Sequence, residues 1–287
     1  MLAFWKRECH SYFHSPVGYV LIAGMLCMVG VNTYMICIAG RMPVFENALS
    51  SSALIFLLMV PILTMRTFSE ERRDGVLQFF YSMPVQLSNV VLGKYFALLT
   101  VLMLPLGLCM IYPLVLSRFG PLNFGIIAST FVGFFAMGAA LIAVGIFFSA
   151  LVENQAAASA VTFVVLLISY FMPTLAAAVP SDAFTTFVVL AAAILLLALV
   201  CFLVSRNSVA ALSFALVCCL PLCLVYRLAP SCLNGGVSTM LRGVSVYARF
   251  VPFHEGILDL TTLVYYISLS ALMLFMAVQV LEYRRCQ

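Results

Sequence analysis

The sequence predicts an all-α, polytopic transmembrane helical bundle of about eight spans, and three observations carry that expectation. The 287 residues are 65% hydrophobic and only 8% charged, too little charge to clothe a soluble chain of this length. Mean hydropathy is +1.17. The apolar runs reach about 20 residues, enough to cross ~30 Å of hydrocarbon, and show no strand-like alternation. In hydrocarbon every backbone N–H and C=O has to be bonded within the chain, and runs of this kind achieve that as helices.

Met1 to His14 comes first. It sets Phe4, Trp5, Tyr12 and Phe13 beside Lys6, Arg7 and Glu8. A cleavable signal would follow its basic residues with a short apolar region and a small-residue cleavage site. The segment instead predicts an interfacial helix on the cytoplasmic face, its aromatics at headgroup depth.

The spans follow in order. Val17 to Ala39 opens after Ser15-Pro16, an N-cap and a first-turn proline. Leu49 to Phe68 carries Pro61 as a predicted kink. Then come Val90 to Leu116, Phe124 to Leu151, Ala156 to Val179, Phe184 to Val204, Val209 to Tyr226 and Thr261 to Leu281, with an external loop over residues 227–252. Placing both termini in the cytoplasm puts Lys6, Arg7, Arg66, Arg72, Arg73, Lys94, Arg206, Arg284 and Arg285 inside. Arg41, Arg118, Arg227, Arg242 and Arg249 fall outside. The asymmetry favours that topology in the cell membrane. Lys94, at the base of the third span, is expected to snorkel to cytoplasmic headgroups.

Metal and catalytic readings find little support. Seven cysteines lie within apolar runs, where cysteine acts as a small hydrophobe. Cys219 and Cys223 share a helix face without a His or carboxylate to complete a site, and Cys232 stands alone in the outer loop. His10 and His14 at i, i+4 beside Cys9 have metal-compatible spacing, but polar residues on an interfacial helix ordinarily face water. No cofactor is expected. Gly93-Lys94-Tyr95 lacks the upstream glycine of a P-loop, so the chain has no phosphate cradle of its own. His254-Glu255 does not continue as a zinc-protease motif. Few ionisable groups lie within the spans, leaving little for an ion relay to run on.

Charge gathers instead in one place. Glu70, Glu71, Arg72, Arg73 and Asp74 are consecutive, and Phe79, Phe80 and Tyr81 follow almost at once. On a helix from Phe68 to Met83, the residues Val76, Phe79, Phe80 and Met83 make one apolar face, and Pro84 stops the helix. Such an element can lie on the membrane, offer aromatics from a charged collar to a soluble partner, or be a turn with solvated charges.

The run PILTMRTFSEERRDGVLQFFYSMP followed by VVLGKYFALL resembles the membrane subunit of ABC-2 type ABC transporters. The resemblance is to the branch of the gliding-motility-associated permease, near the copper-processing permease of nitrous oxide reductase clusters. The matching residues are Pro61, Thr64, Met65, Arg66, Phe68, Ser69, Glu70, Glu71, Gly75, Leu77, Pro84, Leu92, Gly93, Lys94 and Tyr95. Ser15 to Tyr19, Phe148 to Gln155 and Phe253 to Ser270 agree as well. Gln78 stands where that branch has Glu, and Phe79-Phe80-Tyr81 replaces leucines, which implies a docking surface tuned to a different ATPase. Residues 180–249 exceed the branch's six-span plan, as an inserted hairpin plus an outer loop.

The resemblance implies a permease dimer, of identical or related copies, carrying separate ATPase subunits and contacting lipid but no nucleic acid. It implies that residues 69–84 are a coupling helix seated in an ATPase groove. Glu70, Glu71, Arg72, Arg73, Asp74, Gly75, Leu77, Gln78, Phe79, Phe80, Met83 and Pro84 would form the contact. Its charges would be a water-compatible collar, with Glu70 and Glu71 pairing with basic groups of the ATPase or of the N-terminal helix. Export of a hydrophobic or amphipathic substrate is the implied activity, since the spans lack buried charge. Two other functions compete with it. One is a lipid-acting membrane enzyme built on His254, Glu255 and Asp259; the other is a structural anchor for larger machinery. Asn32, Thr33 and Ser169, polar at membrane depth, are expected to tie helices together rather than bind cargo.

Overall fold

The computed structural model describes residues 2–41, 44–73, 86–118, 120–178, 182, 184, 186–188, 191 and 235–285. Among them it is helical throughout, with no strand. Six segments are long and apolar enough to cross a membrane: Gly18–Ala39, Phe45–Arg72, Leu87–Leu116, Phe124–Leu151, Gln155–Ala178 and Leu260–Arg285. The chain is therefore an all-α, multi-pass membrane protein. Most of the predicted spans over 184–204 and 209–226 lies outside the described residues, as does the predicted coupling helix beyond Arg73.

The described chain divides into two units, residues 1–168 with 249–287, and residues 169–248. In the first unit, α1 (Leu2–His14) leads into α2 (Pro16–Thr33), which starts at the predicted proline. The first span ends in a π-helical turn, Tyr34–Ala39. The second span is wound in pieces: α3 (Phe45–Ser51), a 3-10 stretch (Ser52–Ile55) and α4 (Phe56–Thr64). Pro61 lies inside α4, while the tightened winding sits earlier, beside the first span. There Asn32 Nδ2 donates to Ser52 Oγ at 2.9 Å, so this amide ties two spans, as expected for an isolated polar group at membrane depth.

After the turn at Met65–Phe68 comes α5 (Ser69–Arg73). The third span is α6 (Leu87–Cys109) continued by α7 (Ile111–Leu116), three residues earlier at its start than predicted, and the fourth is α8 (Phe124–Leu151). Asn123 caps α8, its side-chain oxygen accepting from the Gly125 N–H at 3.1 Å. The fifth span is α9 (Gln155–Ala178).

Helix α8 is the hub of the first unit. It is buried along most of its length and packs against α3, α4, α6, and the last span. Glycines make the close approach possible. A Cβ at Gly145 would run into the Thr64 side chain, and one at Gly138 would stand 2.7 Å from Leu102 and 2.9 Å from Phe56. Small residues at such crossings let helices meet at backbone range, where dispersion rather than a hydrophobic difference holds them together in lipid. Phe56 and Phe134 fill the neighbouring layer, with ring centroids 4.6 Å apart.

The predicted outer loop is partly helical. In the second unit, α10 (Gly236–Val244) is followed by Ser245, whose hydroxyl donates to Ser169 O at 2.8 Å. Val246 N–H returns a bond to Ser169 Oγ at 3.1 Å, so Ser169 also ties segments together. In the first unit, a 3-10 turn (Ala248–Phe250, its first residue in the second unit) leads into α11 (Val251–His254). Phe253 is fully buried against α8, and Thr130 Oγ1 donates to its carbonyl at 3.2 Å. The last span, α12 (Leu260–Arg285), runs back along α8.

Candidate functional site

Three linked polar clusters form at one end of the first unit, where α1, α5, the end of α8 and the last turn of α12 meet. The first two begin with a helix end that needs partners. The turn at Met65–Phe68 breaks the second span, and its amides cannot all be bonded within a helix. Ser149 supplies the missing acceptor. Its hydroxyl oxygen takes the Phe68 N–H at 3.2 Å and lies 3.0 Å from Thr67 Oγ1. Ser69 Oγ in turn lies within hydrogen-bonding distance of the Ser149 and Val152 carbonyls, at 3.2 and 3.1 Å. Thr67, Ser69 and Ser149 are all buried. Two sequence motifs some 80 residues apart, TMRTFSEE and FSALVENQ, are thus one structural joint.

The C-terminus of α8 leaves the usual orphan carbonyls and a negative dipole end. Two arginines from other helices cap it. Arg72 Nη2 donates to Ala150 O at 2.9 Å, and Arg284 Nη2 donates to Leu151 O at 2.7 Å. Both guanidinium groups also flank Glu153, at 3.8 Å from Arg72 and 2.9 Å from Arg284. Arg72, Glu153, Asn154 and Gln155 line an open concavity of about 480 Å³ beside this cap.

The third cluster is built around Lys94. Its ammonium is buried, 2.9 Å from Glu71 Oε1 and 3.2 Å from Glu8 Oε1. It donates to the Thr67 carbonyl at 2.7 Å and lies 5.1 Å from the centre of the Phe68 ring. Arg7 closes the group, donating to Glu71 Oε1 at 3.2 Å. Three parts of the chain, α1, α5 and α6, converge on one ammonium.

Several sequence expectations change here. Lys94 does not snorkel to headgroups; two carboxylates and a carbonyl offset the cost of burying it. The aromatics of α1 turn partly to protein rather than lipid. Trp5 Nε1 donates to Thr100 Oγ1 on α6 at 3.0 Å, and buried Tyr12 donates to Leu63 O at 3.1 Å. Burial also pushes the Tyr12 phenol well above its ordinary range. Lys6 is exposed and Phe4 half-buried. Arg72 is no solvated rim charge, since it caps α8. Glu71 pairs with Arg7 of the N-terminal helix, one of the two partners expected for it, and Glu70 stands 3.9 Å from Arg66 one helical turn back. Asp74, Gly75, Leu77, Gln78, Phe79, Phe80, Met83 and Pro84 lie outside the described residues, as does the side chain of Arg73.

The acid–base constellation is not assembled. Asp259 caps α12: its carboxylate accepts from the Thr262 hydroxyl at 2.7 Å and from the Thr261 N–H at 3.0 Å. The rings of His10 and His14 stack at 3.9 Å, and burial pushes the neighbouring Cys9 thiol up, which works against a thiolate ligand. No group of three His, Cys, Asp or Glu side chains converges as a metal site among the described residues.

Sequence reading missed Ser149, Thr67, Glu8, Glu153 and Arg284 as members of the site. Glu8 and Lys94 were both visible as charges flanking apolar runs of opposite sign, a signal for pairing. Ser149 carries no such mark, because a lone serine in an apolar helix is ordinary.

Six helices able to cross a membrane, with a buried charge joint at one end of the first unit, define a polytopic helical membrane protein. The family model described as ABC-2 family transporter protein matches residues 29–195. The chain belongs to that family and is a membrane permease subunit of an ABC transporter. Comparison with curated proteins and with solved structures found no match.

Proposed function

We propose that the chain is the membrane half of a bacterial exporter of hydrophobic or amphipathic cargo, related to the gliding-motility-associated branch. It works as a dimer in the cell membrane with both termini in the cytoplasm. A separate ATPase docks on the segment from Glu70 to Pro84 and drives it.

The observation that supports this reading is the wiring of α5. Consecutive residues of one short helix reach different parts of the bundle: Ser69 and Arg72 hold the end of α8, and Glu71 holds α1 and α6. Motion delivered to the chain just after Arg73 therefore has direct paths into α1 and into the third and fourth described spans. A solvated connecting loop would have no use for such bonds.

Co-purification with the ATPase encoded beside the gene, followed by lipid- and drug-stimulated ATP hydrolysis, tests the reading. Desolvated aromatic anchors typically cost ~2 kcal/mol or more on truncation. Phe79→Ala with Phe80→Ala should thus release the ATPase or uncouple hydrolysis from transport while insertion stays normal. Full binding and full coupled transport by that variant would reduce the segment to a connector. A single cysteine at position 238, in a background without native cysteines, should label only from outside.

A further inference from the structure

Among the described residues, Lys94 is the one buried charged residue. Holding helices together does not require a charge there. Replacing a buried ion pair or triad by apolar groups of similar volume is often neutral or stabilising, whereas removing one member strands its partners. The ammonium does something an apolar side chain cannot: it joins three elements directionally. It grips α5 twice, through the Thr67 carbonyl at its entrance and Glu71 within it. It grips α1 through Glu8. The rest of α1 is fastened along the spans by Trp5 to Thr100 and Tyr12 to Leu63. Arg7 adds a more exposed bond from α1 to Glu71, so a shift of α5 has to stretch the Lys94–Glu71 and Arg7–Glu71 contacts or carry α1 with it.

We propose that Lys94 is a positioning residue for energy coupling. It yokes α5 to the N-terminal helix, so that α1 moves with the ATPase-facing segment during each cycle of transport. The proposal rests on the ATPase docking argued above and adds a second moving part to it. Lys94 itself touches neither substrate nor nucleotide.

Trp5 is the only tryptophan in the chain and reports α1 directly. With 5-fluorotryptophan in the permease alone, fluorine NMR of the complex reconstituted with unlabelled ATPase reads its environment. The wild type should give one resting line that shifts on adding ATP. Lys94→Met, which leaves Glu8 and Glu71 with only the largely exposed Arg7 as a cationic neighbour, should displace the resting line. The neutral triple variant Lys94→Met, Glu8→Gln, Glu71→Gln should recover the resting line and thermal stability. It should nevertheless lose the ATP-dependent shift, and substrate-stimulated hydrolysis should fall to the basal rate. That split separates a yoke from a purely structural contact, which the triple variant would restore in full. If the triple variant keeps the ATP-dependent shift, or the wild-type line ignores ATP while the ATPase is bound, the yoke is overturned. Failure of wild-type permease to capture the ATPase at all overturns the docking reading and the yoke with it.

Discussion

Arg284 donates to the Leu151 carbonyl across 2.7 Å, so the last turn of the last helix caps the end of the fourth span. The same guanidinium holds Glu153 at 2.9 Å, but Glu153 is 74% exposed, and ion pairs in that setting contribute little. The carbonyl bond carries the effect. A bond from a charged donor contributes about 1.5–3 kcal/mol when shielded, and less at this partly open site. Arg284→Ala should lower the thermal midpoint of detergent-purified protein by an amount matching roughly 1 kcal/mol. Arg284→Lys should recover part of the loss, since an ammonium keeps a charged donor for the carbonyl but lacks the fork that also reaches Glu153.

Arg72 caps the neighbouring carbonyl and is less exposed than Arg284. Arg72→Ala should therefore cost at least as much as Arg284→Ala, whereas Lys6→Ala, at an exposed position of α1, should be nearly silent. The two arginines share Glu153 and one helix end, so their effects should not add. Thermal midpoints of the two single variants and the double variant form the cycle. Strict additivity would mean that the guanidinium groups act independently.

Much of this architecture was legible in advance, and the reasons differ by element. The fourth span was read residue for residue because Asn123 and the polar run after Leu151 bracket an unbroken apolar stretch. The second span was harder. Its apolar signal does not record where the winding tightens, a stretch that begins at Ser52, the residue bonded to Asn32 of another span. Charge clustering marked α5 as special from sequence alone. Which way each charge points was not legible: Glu71 and Arg72 sit on different sides of a helix whose orientation the fold decides. Lys94 is ambiguous in sequence for the same reason, since snorkelling and burial begin from the same lysine at the foot of a span.

Asp259 gives a pH dependence of known sign. The Thr262 hydroxyl bonded to its carboxylate holds its pKa below the ordinary value, and the Thr261 N–H adds to this. A group depressed by folding contributes stability that is fully present above its unfolded pKa and lost as pH falls through its folded one. The cap should therefore be intact at neutral pH and weaken only at acid pH, below the usual carboxylate range. Asp259→Asn should flatten that acid limb of a stability-versus-pH curve. An unchanged acid limb would show that the carboxylate charge does not matter to the cap.

Breaking the Ser149 joint should weaken the bend between the second span and α5. Ser149→Ala removes the acceptor of the Phe68 N–H and the partner of Thr67, both in a buried setting. A buried donor left without a partner costs about 1–3 kcal/mol. Thr67→Val removes only one hydroxyl and should cost less. Hydrogen exchange localises the effect: the amides of Phe68 and Ser69 should lose protection in Ser149→Ala while those in the middle of α8 keep it. Equal protection in both proteins would mean that water or a backbone shift replaces the serine.

Gly145 tests whether close helix approach holds the hub together. Its missing Cβ is where the Thr64 side chain sits, and Thr64 is fixed by its bond to Val60 O at 2.8 Å. The threonine can leave that position only by changing rotamer and giving up the bond, so the added methyl has to push α4 away from α8. Overpacking of this kind typically costs 1–3 kcal/mol. Gly145→Ala should lower the thermal midpoint more than Gly24→Ala, because Gly24 faces open space. The companion change Thr64→Ala removes both the hydroxyl oxygen, the nearest atom to the added methyl, and the side-chain methyl, so in the Gly145→Ala background it should return part of the loss. If Gly145→Ala is as stable as the wild type, the approach of α4 to α8 is looser than the Gly145–Thr64 contact indicates. If Thr64→Ala gives no rescue, the strain lies elsewhere along α8.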